Sequence, residues 1–218
     1  RNTAVGYQAG YNHTYYDATF VGHKAGFSNT TGAENSAFGD TSLYSNTSGS
    51  NNTASGREAL YSNTTGIRNS AFGNLALYSN TTASNNIAVG FAAGYSGTTA
   101  IQNVLIGSNA GFAITTGGYN VAIGGSAGSS ITTATGNVMV GLQAGVSTTT
   151  GICNTFVGGS YTGYAGRYNT TGNNNVALGA DALNNNTTAS DNTAVGFQAG
   201  YNVSVGYINT FLGRSAGS

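Results

Sequence analysis

Apolar and polar positions along this chain recur over a long period, and glycine marks it. Gly6, Gly22, Gly39, Gly56, Gly73, Gly90, Gly107, Gly124, Gly141, Gly158, Gly179, Gly196 and Gly213 are spaced by 16, then 17 eight times, then 21, then 17 twice. A period of this size predicts a solenoid in which each repeat is one coil and coils stack on their neighbours. Ahead of each anchor glycine runs a short alternating segment such as Thr-Ala-Val, Ser-Ala-Phe, Val-Ala-Ile or Val-Met-Val, which predicts one strand per repeat. The residue just before the glycine is apolar in twelve of thirteen repeats, with Ser55 the exception, and this column is expected to line the coil interior. The middle residue is usually Ala, with Phe20, Leu105, Met139, Phe156 and Phe211 among the departures. Alternation then sends it outward, where a small column suits packing against another subunit.

Asn stands four residues before the anchor in every repeat except the second, where Ala18 takes its place. Coils rising by about 4.8 Å let each amide bond to the next, which predicts an asparagine ladder. Three residues past the anchor comes Ala in eleven repeats, then Gly or Leu in all but one, then often Tyr or Phe, as at Tyr11, Phe27, Tyr44, Tyr61, Tyr78, Tyr95, Phe112 and Tyr201. This reads as a corner followed by an aromatic column that can stack coil on coil. Next comes a second polar strand or turn, Asn-Thr-Thr-Gly in its fullest form at 29 to 32, 63 to 66 and 169 to 172. Thirteen such coils make an all-β rod on the order of 60 Å long. A coil of this size is expected to hold two or three inward residues, so side-by-side association into a homo-oligomer is expected to add stability.

Composition narrows the function. Of 218 residues 35 are Gly and none is Pro or Trp, and 6% are charged, against about 25% in ordinary soluble domains. Six basic residues balance six acidic ones, leaving no net field to hold nucleic acid. Between Arg68 and Arg167 no charged residue occurs, yet no apolar run approaches the ~20 residues of a membrane helix, so no membrane insertion is expected. A lone Cys153 cannot form an internal disulfide. The repeat is already running at Asn2 and stops within itself after Asn209. Residues 1–218 therefore read as a single array, a fragment of a longer fibre, with a loop insertion at about 159–171.

The stretches Asn120-Val121-Ala122-Ile123-Gly124, Asn175-Val176-Ala177-Leu178-Gly179 and Asn192-Thr193-Ala194-Val195-Gly196 resemble the head-repeat motif of trimeric autotransporter adhesins of the YadA type. They are also similar to glycine-rich repeat arrays in bacteriophage tail fibres. The resemblance spans the chain through its thirteen anchors. It implies a parallel β-roll, left-handed, three copies of which pack around a threefold axis. The repeat here is longer than in that family and carries the added Asn-Thr-Thr segment.

Catalysis finds little material. His13 and His23 are the only imidazoles, the carboxylates are scattered, and no nucleophile elbow, phosphate loop or paired cysteine occurs. The chain is expected to be no enzyme, with no cofactor and no metal, since Asp is not periodic as calcium solenoids require. The insertion supplies a candidate ligand-binding loop in Tyr161, Tyr164, Arg167 and Tyr168, whose rings and guanidinium suit a surface glycan or a protein receptor. A weaker candidate is His13, Tyr15 and Tyr16, where the period shortens. Sequons at Asn12, Asn29, Asn46, Asn51, Asn63, Asn80, Asn169, Asn185, Asn186 and Asn202 fall near one register and would place a row of sugars along one side if glycosylated. These features point to a structural extracellular fibre or adhesin, at the cell surface or on a virion. A self-assembling matrix filament and an ice-binding solenoid are the alternatives.

Overall fold

The computed structural model describes residues 1–161 and 163–218. Thirteen strands form one parallel sheet in chain order: β1 Asn2–Val5, β2 Ala18–Val21, β3 Ser36–Phe38, β4 Thr53–Ser55, β5 Ser70–Phe72, β6 Ile87–Val89, β7 Val104–Ile106, β8 Val121–Ile123, β9 Val138–Val140, β10 Thr155–Val157, β11 Val176–Leu178, β12 Thr193–Val195 and β13 Thr210–Leu212. Strands pair in register, Ala37 with Ala54 and Ala54 with Ala71, so each repeat is one coil of a β-solenoid. The Asn-Thr-Thr segment forms no strand. It is a tight bend in which the N–H groups of Thr30, Thr31 and Gly32 all donate to Thr47 O of the next coil.

The two faces of the strands are the reverse of the sequence expectation. Ala37, Ala54, Ala71 and Ala88 in the middle of the strands are fully buried, whereas Phe38, Phe72, Val89 and Leu178 beside the anchor glycines are exposed. Alternation holds and its sense is reversed, because bulk does not mark the core in this coil. The coil is too thin for a large residue in every repeat and accepts methyl groups instead. It is nevertheless deeper than two or three residues. In the third coil Asn35, Ala37, Ser42, Leu43, Asn46 and Gly49 all point inward and are buried.

Space inside is shared between the middle residue of a strand and the corner four residues past the anchor. Leu43, Leu60, Leu77 and Leu183 occupy corners, and the strands of those coils carry Ala37, Ala54, Ala71 and Ala177. Where the strand carries a large residue, glycines make room on two coils. A Cβ on Gly26 or Gly10 would meet the Phe20 ring at 2.3 and 2.8 Å, and one on Gly111 or Gly94 would meet Leu105 at 2.7 Å. Met139 is similarly flanked by Gly145 and Gly128, and Phe156 by Gly166 and Gly145. Native density is thus reached by compensating large with small, as close-packed interiors require.

The anchors need glycine for two reasons at once. Gly107, for example, has φ of +133°, a region open only to glycine, and a Cβ there would lie 2.5 Å from Gly124 O of the next coil. Each anchor N–H donates back to the preceding coil, Gly107 to Val89 O at 2.7 Å and Gly124 to Ile106 O at 2.7 Å.

Candidate functional site

The insertion protrudes over a shorter span than expected. Gly159 and Tyr164 pair as an antiparallel bridge, Ser160 N–H donates to Gly163 O at 2.8 Å, and the chain rejoins the coil when Ala165 N–H donates to Gly158 O at 3.1 Å. Tyr161 at the tip is 94% exposed. Asp181 of the following coil secures the base by accepting from Tyr164 N–H at 3.2 Å and Asn184 Nδ2 at 2.6 Å. Arg167 and Tyr168 belong to the regular coil, and the guanidinium lies 5.0 Å from the Tyr164 ring and 4.9 Å from the Tyr168 ring. The structure therefore brings Tyr164, Arg167 and Tyr168 together, whereas Tyr161 joins them only through its carbonyl, which accepts from the Tyr164 hydroxyl at 3.5 Å. Both contacts of the Arg167 cation are with rings of its own chain.

A larger feature was missed by sequence reasoning. On the outward face of the sheet the column before the anchors runs Val89, Ile106, Ile123, Val140 and Val157, beside Ile87, Val104, Val121, Val138 and Thr155 two residues earlier. No charged residue stands in either column over all thirteen strands. Five charges stand one position before the sheet-flanking Asn column (Arg1, Asp17, Glu34, Arg68, Asp191). Six more lie one or two residues past the anchors (Lys24, Asp40, Arg57, Glu58, Asp181, Arg214). Eleven of the twelve charges thus stand beside β1–β5 and β11–β13, Arg167 is the twelfth, and none stands beside β6–β10, where both columns are most apolar. The signal was available in the register of the charges.

Sequon asparagines divide into two groups. Asn29, Asn46, Asn63, Asn80, Asn169 and Asn186 point into the coil and are fully or almost fully buried. Asn63 Nδ2 donates to Asn46 Oδ1 at 2.7 Å and Asn80 Nδ2 to Asn63 Oδ1 at 2.6 Å, while Asn46 likewise donates to Asn29. The expected row of sugars does not match this arrangement, since these amides are committed to an internal ladder. Asn12, Asn51 and Asn202 are exposed and Asn185 is half-buried. The other expected ladder is present too: Asn120 Oδ1 accepts from Asn137 N–H at 3.1 Å and Nδ2 at 3.2 Å, and Asn120 Nδ2 donates to Ala134 O at 2.9 Å.

His13 stands at the head of the internal ladder. Its Nδ1 accepts from Asn29 Nδ2 at 2.6 Å, and its ring meets Phe20 edge-on at 5.4 Å. Burial, aided by the N-terminal ammonium, holds its pKa below the ordinary value of 6.5. Tyr15 and Tyr16 stack on each other nearby at 4.0 Å, and the hydrogen bond that the Tyr16 hydroxyl donates to the Tyr15 hydroxyl at 2.9 Å pushes the Tyr16 phenol up.

The aromatic column does stack. From Tyr11 to Phe112 seven rings follow one another, with centroids 5.1 to 5.4 Å apart and planes within 4 to 8°. Desolvation in the stack, with Glu58 beside it, raises the Tyr78 phenol. Threonine pairs split their roles within the bend. The first hydroxyl of each pair bonds across coils, Thr64 to Thr81 O at 3.0 Å, and the second faces out.

Among the described residues no group of three or more His, Cys, Asp and Glu could hold a metal ion, and no helix is long and apolar enough to cross a membrane. The fold defines the chain as a β-solenoid repeat protein. Comparison with known proteins finds no matching family model, curated protein or solved structure.

Proposed function

We propose that this chain is a non-catalytic shaft or head segment of an extracellular fibre or adhesin, assembled side by side from copies of itself through the outer face of the sheet. The observation that carries this reading is the outward ribbon, which holds no charged residue over thirteen strands and is apolar in both columns from Ile87 to Val140, as the charge-depleted core of an interface is. A ribbon about 60 Å long and three residues wide, or roughly 10 Å, covers about 600 Å² per copy. A pair of copies then buries about 1,200 Å², at the lower end of stable interfaces. A second copy is the fitting occupant because only a partner with the same rise per coil stays in step along the whole ribbon. The resemblance to YadA-type heads favours three copies around one axis. The matrix-filament and ice-binding readings rest on lesser features, the absence of proline with few charges and a single exposed rank of threonines.

Negative-stain electron microscopy of the purified chain tests the proposal. Uniform rods about 60 Å long and several coils' widths across are expected. Isolated thin particles of single-chain width would overturn it.

A further inference from the structure

The aromatic stack ends at Phe112 for want of one ring. In the next coil Ser129 occupies the place in the column, and Val146 occupies it in the coil after that. Tyr95 covers one face of the Phe112 ring at 5.1 Å, and the ring plane is within 5° of its neighbour's. The opposite face looks across a gap one coil deep toward Ser129. The result is a notch of about 310 Å³ lined by Asn109, Phe112, Ser126 and Ser129, with Phe112 37% exposed. Its volume falls in the range of roughly 300–1,000 Å³ typical of small-ligand sites.

The lining specifies what fits. One wall is a flat aromatic face, and the other groups are a carboxamide and two hydroxyls. Among the described residues none of the three polar side chains is hydrogen-bonded to another protein group. No charged residue occurs between Arg68 and Arg167, so an ionic ligand meets no counter-charge from this part of the sequence. From this geometry we infer that the notch between Phe112 and Ser129 is a binding site for a neutral pyranose ring. The apolar C–H face of such a sugar lies on Phe112, in the position of the missing ring, and its hydroxyls reach Asn109, Ser126 and Ser129. A protein aromatic ring would use the same wall and leave the polar groups unmatched, and a charged sugar would be desolvated without compensation. Asn109 and Ser126 stand two residues past their anchors, at the edge of the ribbon, and Phe112 and Ser129 stand three residues further along, so the site holds none of the ribbon's own residues.

Saturation-transfer NMR on the full chain with methyl β-glucoside, N-acetylglucosamine, glucuronate and p-cresol provides the test. The two neutral sugars are expected to receive saturation, strongest at the ring C–H protons, with glucuronate weaker. Phe112→Ala should weaken binding about tenfold, the scale of one aromatic contact. Ser129→Tyr should abolish it, because the new ring completes a column that already accepts tyrosine at 44, 61, 78 and 95. Circular dichroism of both variants establishes that they fold. No transfer to either neutral sugar overturns the inference, as does binding unaffected by Ser129→Tyr or transfer confined to p-cresol.

Discussion

Two stretches of the rod solve one packing problem with opposite chemistry. Seven residues past the anchor, the early coils place Asn29, Asn46, Asn63 and Asn80, joined amide to amide, whereas coils further along place Ile114 and Ile131, both fully buried. The carbonyl three residues on explains why either is tolerated. Gly66 O accepts from Asn63 at 3.1 Å and also from Asn52 at 2.8 Å, whereas Ala134 O has Asn120 alone at 2.9 Å. The ladder beside the strand therefore satisfies the backbone unaided, and the inner amide run is an optional addition. Its cost falls at its ends. Asn80 Oδ1 faces Gly97 and Asn186 Oδ1 faces Val203 in the next coil, and both are buried without a partner. Ladders of this kind are stable in the middle and exposed to penalty where they stop.

Substitutions can break this contrast. The largest effect is expected from Asn120→Ala, which removes bonds to Asn103, Ala134 and both nitrogens of Asn137. At roughly 1–3 kcal/mol per orphaned buried group it should cost about 3 kcal/mol or more in urea unfolding. Reciprocal exchanges should both fail by about 2 kcal/mol, for different reasons. Ile131→Asn introduces an amide whose neighbour Ile114 cannot accept, and Asn63→Ile strands Asn46 Oδ1 while crowding Leu60. Equal tolerance of both exchanges would refute the division. A smaller gain is expected where the inner run stops. A Cβ on Gly97 would make only ordinary contacts, the nearest 3.4 Å from Gly94 O, so Gly97→Ala should stabilise by about 0.4–1 kcal/mol, measured as a higher urea midpoint.

The smallest effect concerns the ladder's head. His13 has a lowered pKa in the fold, so its neutral form is favoured there. Its contribution is complete above its ordinary value of 6.5 and is lost as pH falls through the lowered one. The urea midpoint should decline between pH 7 and pH 5 in the native chain, and less so in His13→Gln. Identical slopes would remove His13 from the account.

How much of this was legible follows from what each column reports. Glycine, the strand-flanking Asn and the aromatic positions repeat because the backbone and coil-to-coil stacking demand them in every repeat, so spacing alone revealed the solenoid. The sense of the strand is hidden because Val and Phe, by their bulk, read as core. Residue size held the correcting signal: Phe20, Leu105, Met139 and Phe156 occur only where Gly26, Gly111, Gly145 and Gly166 stand at the corner, and an outward column would need no such match. Asn46 and Asn63 satisfy a sequon and a buried ladder equally well in one dimension, and only burial separates the two. The Arg167 sandwich depends on how the insertion folds back, which no periodic pattern encodes.

We propose that the large apolar column faces outward in order to meet copies of the chain. Sedimentation equilibrium of the native chain and of the double variant Ile106→Lys, Ile123→Lys tests it most directly, because both side chains lie on the ribbon and outside the coil. The native chain should sediment as an oligomer, and the variant as a folded monomer with unchanged circular dichroism. A native chain that is monomeric at all concentrations, or a lysine variant that assembles as the native chain does, would contradict it.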